Sequence, residues 1–543
     1  MRPWRFVGAG SPRMIRRAMR LSRRSTLSRL SRWAALLAAQ QVLAAPNTSL
    51  PRIAAPRFGD DPFALGIASG QPRPHSVVLW TRLMADPAQP DGGLPQALLP
   101  LRWEVAEDAA FARIVRSGTV LADPAQAHSV RVPVQHLRPG RHYWYRFIAG
   151  GVASPVGRTR TAPAEDAMVD RLRFALASCQ HFEQGWFTAH REIAAQDLDA
   201  VVFVGDYLYD SSNRRFRLRS HEAEAPVTLA QFRARHATYK RDPDLQASHA
   251  AHPWILAWDD HEVRNDYAGA FGNEEDLSPE AFVQVRAAAY QAYFEHLPLA
   301  LDQQPGPQGL RMHDRFRWGR LADLWMLDGR QHRTPQACNR GNVADGRVRW
   351  ACSSLNDDRG TMLGAAQERW LHAGLRDSAC RWKLIGQATQ LSPWGIPVPG
   401  GSPVVYTDGW DGYPAARARL LGHLHNHRVE NAVFLGGDVH RHVAARLRAD
   451  PREPTSPVVA SEFVASSLTT AGLPESFMSL IRRSHPDILH ARSDERGYMQ
   501  VDVTDRSIHC VARATGFPVL ARSALHTQAQ FRVEAGRAGP QRE

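Results

Sequence analysis

Lysine is almost missing from this chain: of 67 basic residues only Lys240 and Lys383 are lysines, a skew of the kind genome composition produces. Cysteine is scarce as well, five in 543 residues, which excludes a small disulfide-built scaffold. No apolar run reaches the length of a mature membrane-spanning helix, so stable membrane insertion is not expected. Acidic residues are absent from positions 1–45, which carry ten arginines. Subtracting those ten from the formal net charge of +13 leaves about +3 for the rest, too little to argue for a specific nucleic-acid partner. A hydrophobic content of 43% excludes general disorder, and the length allows two or three domains.

What is present begins with an address. SRRSTL (Ser22–Leu27) is close to the twin-arginine pattern, with Thr26 where a bulky apolar residue is usual. A short apolar stretch, WAALLAAQQVLAA (Trp33–Ala45), ends in small residues suited to cleavage near Ala44 or Ala45. Residues 1–45 therefore read as a twin-arginine signal peptide and 46–57 as a linker. This implies the twin-arginine machinery as a partner and a periplasmic or secreted location. The bland alternative is a basic tail. In an oxidising compartment Cys338 could pair with Cys352 and Cys380 with Cys510, which would leave Cys179 needing an explanation.

Two textures follow. Residues 58–162 are dense in alternating segments, HSVVLWTRL (His75–Leu83), LRWEVA (Leu101–Ala106), SVRVPV (Ser129–Val134) and HYWYRFIAG (His142–Gly150), separated by Gly, Pro and Asp clusters. That pattern is a small antiparallel sandwich. LRPGRHYWYRF (Leu137–Phe147) resembles a fibronectin type III strand entry. From residue 170 to 535 apolar strands alternate with helical stretches, the mark of a layered α/β domain. The strands are LRFALASC (Leu172–Cys179), AVVFVGD (Ala200–Asp206), ADLWMLD (Ala322–Asp328), CRWKLIGQ (Cys380–Gln387) and NAVFLGGD (Asn431–Asp438). Residues 536–543 read as a frayed tail, and Ser507–Phe531 as a candidate lid over a pocket.

Chemistry gathers after the strands. ASCQHF (Ala177–Phe182), GDYLY (Gly205–Tyr209), WDDHEVRND (Trp258–Asp266) and GGDVH (Gly436–His440) each place donors directly after apolar sequence. Each alone has an ordinary structural explanation: a turn cap, a packed ring, a core thiol, a loop histidine. Four such ends in one sheet call for a shared ligand, because uncompensated acids at buried ends are costly. A carboxylate, phenolate, thiolate and imidazole together suit a transition metal such as Fe(III), and carboxylates alone suit Ca2+. Cys179, Tyr209 and His440 would hold the iron, Asp206 would bridge, and Asp438 with Asp260 would hold the second ion. Asn265 is a further oxygen donor there.

GDYLY matches the GDxxY signature of purple-acid-phosphatase-type metallophosphoesterases. With ASCQ, WDDHE and GGDVH it closely resembles the PhoD-like alkaline phosphatase/phosphodiesterase family, as do LDGRQHRT (Leu327–Thr334), MLGAAQERWL (Met362–Leu371) and WDGYPAAR (Trp410–Arg417). The resemblance implies a twin-arginine leader, a fibronectin-like N-terminal domain and a four-layer αββα sandwich carrying Fe(III) with Ca2+. It also implies that Cys179, Asp206, Tyr209 and His440 are iron-side ligands and that Asp438 serves the second metal.

The expected reaction is attack of a metal-bound hydroxide on a phosphate ester, a diester or a monoester, with His261 stabilising the transition state or protonating the leaving group. Two decoys stand nearby. GHLH (Gly422–His425) mimics a metallophosphatase motif but follows helical sequence, and His181 mimics an Asp-x-His opening without being a ligand. Competing readings are a nuclease or phospholipase with the same chemistry and a non-catalytic envelope-binding protein. A serine-nucleophile phosphatase lacks its strand-to-helix serine elbow.

Overall fold

Val201–Val204 carries only apolar side chains and every one is buried, so this strand must be covered on both faces. The computed structural model places it inside a ten-stranded mixed sheet, between the parallel strands Leu172–Ala177 and Pro253–Ala257. It describes residue 58 and residues 61–543, apart from residues 87–88, 90–91, 213–214, 222, 275–276, 308, 340–342, 399 and 401–402. The expected leader and linker, residues 1–57, lie outside the described residues.

A second, seven-stranded sheet runs Asp314–Trp318, Ala322–Met326, Trp382–Gly386, Ala432–Gly436, Val458–Val464, His442–Arg448 and Ile488–Arg492. Alternate residues of the two sheets meet in one apolar cluster: Phe174, Leu176 and Val202 from the first pack with Leu324, Leu384 and Val433 from the second. The opposite residues face helices. Val201, Phe203 and Leu256 pack with helices Leu229–Lys240 and Pro279–His296, and Trp325, Ile385 and Phe434 with Ala365–Asp377 and Pro414–Asn426. The period-two alternation of the strands thus assigns each face its partner.

The N-terminal strands do not keep to themselves. Ile67–Arg73 pairs in parallel with Pro253–Ala257, and Ser76–Arg82 and Ser129–Val134 follow it into the ten-stranded sheet. Leu99–Ala106, Ile114–Ala122, His142–Ala149, Val152–Ala153 and Gly157–Arg160 form a separate five-stranded sheet. Leu79, Val132, Leu101 and Tyr145 share one core between the two. One layer of the expected N-terminal sandwich is therefore continuous with the main sheet.

Three expectations change. Ser507–Gly516 and His526–Glu534 are strands of the ten-stranded sheet, so Ser507–Phe531 is no lid; Cys510 and Ala512 are needed in the core. The tail is not frayed, since Gln541–Arg542 pairs with Phe531–Arg532 and the Gly539 amide donates to Ser461 Oγ at 3.0 Å. Cys338 and Cys352 form a disulfide, whereas Cys380 and Cys510 are free, buried thiols. GHLH lies on helix Pro414–Asn426, with His423 stacked on His372 and tilted against His427.

Candidate metal centre

The four donor-bearing strand ends come from two sheets, not one. Leu172–Ala177, Ala200–Val204 and Pro253–Ala257 deliver three of them from the ten-stranded sheet, and Ala432–Gly436 delivers the fourth from the other. The site therefore forms on the rim where the sheets face each other. Its exits are tight. Gly205 has φ 120°, and a Cβ there would stand 2.6 Å from that of Asp259. Cys179, Asp206, Asp266, Asp438 and His440 all adopt left-handed φ between 51° and 62°. Non-glycine residues avoid that region unless the surroundings impose it, and such strain gathers where side chains must be aimed.

Donor atoms of Cys179, Asp206 and His440 come within 4.8 Å of one another, as do those of Asp206, Asp260 and His261, and of Asp260, Asp266 and Asp408. Asp206 and Asp260 link the groups. Tyr209 completes the first: its hydroxyl donates to Asp206 Oδ2 at 2.8 Å, lies 3.2 Å from His440 Nε2 and accepts from Thr470 Oγ1 at 2.9 Å. His440 is aimed by its other nitrogen, 2.8 Å from the Ala471 carbonyl, which leaves Nε2 to face the cluster. Asp438 accepts from Thr389 Oγ1 at 2.5 Å. Asn265 is half-buried between Arg264 and Asp266. His181 is close without joining: its ring centre is 4.5 Å from that of Tyr209, and its Nδ1 accepts from the Glu183 amide.

Further charged groups hold this cluster. Arg330 bonds Asp259 and makes two 2.8 Å bonds to Asp408, which also accepts from Arg333 and Gln336. Although burial acts against it, these guanidinium bonds hold Asp408 down at about 2. Asp408 is thus an anchored anion with its oxygens already engaged. Asp266 accepts from Tyr406 at 2.9 Å and from the Gly346 amide at 3.1 Å. Gly346 belongs to the loop closed by Cys338–Cys352. Glu262 ties two of the exits together by accepting from the amides of Tyr207 and Asp259 at 2.6 and 3.0 Å. Asp210 bonds His261 Nδ1 at 2.6 Å.

Asp259, Asp266, Asp408, Arg330 and Asp210 were not singled out from sequence. Each stood in or beside a motif already in view: GDYLY, WDDHEVRND, LDGRQHRT and WDGYPAAR. What sequence lacked was the pairing between them.

Unless a cation balances its charge, this site must take up protons. Burial first, then neighbouring carboxylates, pushes Asp206 well above the carboxylate range, and burial with Asp260 and Asp408 raises Asp438 to about 6. Burial first, and then Asp206, likewise raises both the Cys179 thiol and the Tyr209 phenol. Burial opposes charge on His261, but Asp260, Asp206 and Asp210 outweigh it and raise its pKa. Asp206 Oδ1 is buried and has no hydrogen-bond partner among the described residues. An orphaned carboxylate oxygen among a thiol, a phenol and an imidazole fits a cation, which would reverse these shifts.

A model of the PhoD-like phosphatase family matches residues 174–511, and one of its N-terminal domain matches residues 48–163. The chain belongs to the PhoD-like phosphatase family. Its PhoD-like relatives include alkaline phosphatase D of Bacillus subtilis (strain 168), 40% identical over 494 residues, covering 90% of this chain and 83% of that protein. A solved structure of PhoD superposes with a TM-score of 0.84 at 38% identity, covering 90% of this chain and 93% of the other.

Proposed function

We propose that this PhoD-like chain is an exported, metal-dependent phosphoric ester hydrolase acting on phosphodiesters, phosphomonoesters or both. The observation that carries the proposal is the meeting of four strained strand ends around the unpartnered Asp206 oxygen. Cys179, Tyr209 and His440 would hold Fe(III), Asp206 would bridge, and Asp260 with Asp438 would hold Ca2+, with Asn265 and Asp266 as adjacent oxygen donors. Two cations held there would supply an activated water and offset the charge that builds on the phosphoryl oxygens.

The chain's own groups do the rest. Asp210 fixes the His261 ring, which lies 4.1 Å from that of Tyr209, so that its Nε2 can give a proton to the leaving oxygen. Arg330 anchors Asp259 and Asp408 behind the reacting centre, and the buried walls keep bulk water out. Residues 58–162 would serve as a fibronectin-like module and 170–535 as a helix–sheet–sheet–helix catalytic domain, a reading supported by the shared inter-sheet core. Residues 1–45 would direct twin-arginine export to the periplasm or beyond. A binding protein without catalysis is disfavoured because every main donor position is intact.

The experiment compares hydrolysis of a chromogenic diester and the matching monoester by metal-loaded wild type, Asp206→Ala and Tyr209→Phe, with folding checked by circular dichroism. Loss of turnover in folded Asp206→Ala, and loss of any iron–phenolate absorption in Tyr209→Phe, are expected. Full turnover in Asp206→Ala would remove the proposed centre from the reaction.

A further inference from the structure

Three loops beside the centre expose apolar side chains together. Trp186, Leu218 and Leu520 are 38%, 42% and 55% exposed. Large hydrophobics scattered singly need no explanation, but these are tied to one another. The Trp186 amide donates to the Val519 carbonyl, next to Leu520, at 3.0 Å, and the Leu218 amide donates to the Glu183 carbonyl at 2.7 Å. Beneath them Phe216 and Phe517 join the loops edge to face at 5.2 Å.

The platform is held rigid from below. Arg219 donates to the carbonyls of Phe182 and Gly185, pairs with Asp242 at 2.6 Å, and lies over the Phe182, Trp186 and Phe187 rings. Little ordering is therefore required before the surface can bind. The outward charge is basic: Arg217 and Arg522 are exposed and have no ion pair among the described residues. The surface also adjoins the centre, because Gln184 accepts from the Ala471 amide, whose own carbonyl aims His440.

From this juxtaposition we infer that the Trp186–Leu218–Leu520 platform docks on the surface of an anionic lipid bilayer. A soluble polyanion would need the arginines but not the apolar side chains. A lipid surface uses both: tryptophan and leucine enter the interface while arginines meet acidic headgroups. No helix among the described residues is long and apolar enough to cross a membrane, so the association is peripheral. It would bring the centre's mouth to the bilayer, and it stands independently of which ester the centre cleaves.

The test is co-sedimentation of the full chain with vesicles of equal parts phosphatidylglycerol and phosphatidylcholine, and with phosphatidylcholine alone. The arginine-rich residues 1–45 are then common to every sample, so differences between variants report on the platform. Preferential binding to anionic vesicles is expected. Leu218→Ser with Leu520→Ser should weaken it by about tenfold or more, and Arg217→Ser with Arg522→Ser by about fivefold for each arginine removed. Soluble-ester hydrolysis should be unchanged in both, which certifies their folding. Absence of wild-type binding, or equal binding by the leucine variant, overturns the inference. So does capture by soluble polyphosphate that matches vesicle binding and ignores the leucine changes.

Discussion

Lys240, one of only two lysines, sits where a charge is hardest to keep. It ends helix Leu229–Lys240 fully buried, and its Nζ has no hydrogen-bond partner among the described residues. The Trp80 ring lies 4.1 Å from it and the Tyr207 ring 5.7 Å. Cation–π attraction favours the ammonium by about 2 kcal/mol, whereas desolvating an unpaired charge costs several kcal/mol. Burial wins, and the pKa falls well below the usual lysine value. The unfolded chain, with a lysine pKa near 10.4, binds the proton that the fold excludes. Stability must then rise with pH by about 1.4 kcal/mol per unit while the amine is neutral folded and charged unfolded, levelling off near the unfolded pKa. Lys240→Met keeps the packing volume and removes the titration. The variant should be the more stable protein at pH 7, and its advantage should shrink towards pH 10. Urea-unfolding midpoints at each pH, at fixed metal, measure the gap. A gap that does not change with pH would refute the reasoning, because it would mean that the fold keeps the ammonium charged.

The same interior holds His236, His249 and His296, whose pKa values burial pushes well below the ordinary value. Stability should fall as pH drops below about 6.5, where unfolded histidine protonates, and Tm between pH 7 and 5 reads it. Arg330→Met takes the guanidinium from Asp259 and Asp260, leaves Asp408 to Arg333, and should cost about 3–5 kcal/mol, with Tm partly restored by excess calcium. Reducing the Cys338–Cys352 bridge, whose cysteines lie 14 positions apart, should cost about 3 kcal/mol. It should also loosen the Gly346 contact to Asp266, seen as weaker calcium binding in a titration; Cys352→Ser should not respond to reductant.

Much of the fold was legible because the apolar runs were short and clearly bounded. Ser129–Val134 matched its expected strand in full, and Ala432–Gly436 lies inside the expected one. Pairing across the chain was not legible. Nothing local in Ile67–Arg73 says that it will lie beside Pro253–Ala257, and that one pairing merges the N-terminal strands with the main sheet. Ser507–Phe531 misled because strands alternating Ile, Cys and Ala with polar residues resemble an amphipathic cover until their neighbours are known. At the centre, donor types after strand ends were visible in sequence. The residues that anchor them were not, because Arg330, Asp408 and Asp259 matter through one another and lie up to 149 positions apart.

The central claim is that Cys179, Asp206, Tyr209 and His440 meet in order to hold a redox-capable cation beside a harder one. Elemental analysis of the folded protein, purified without chelators from its native host, tests it directly. Iron near one per chain together with calcium, with the iron lost in Tyr209→Phe and Cys179→Ala, is the expected result. Folded, active protein with neither iron nor another transition metal would contradict the account.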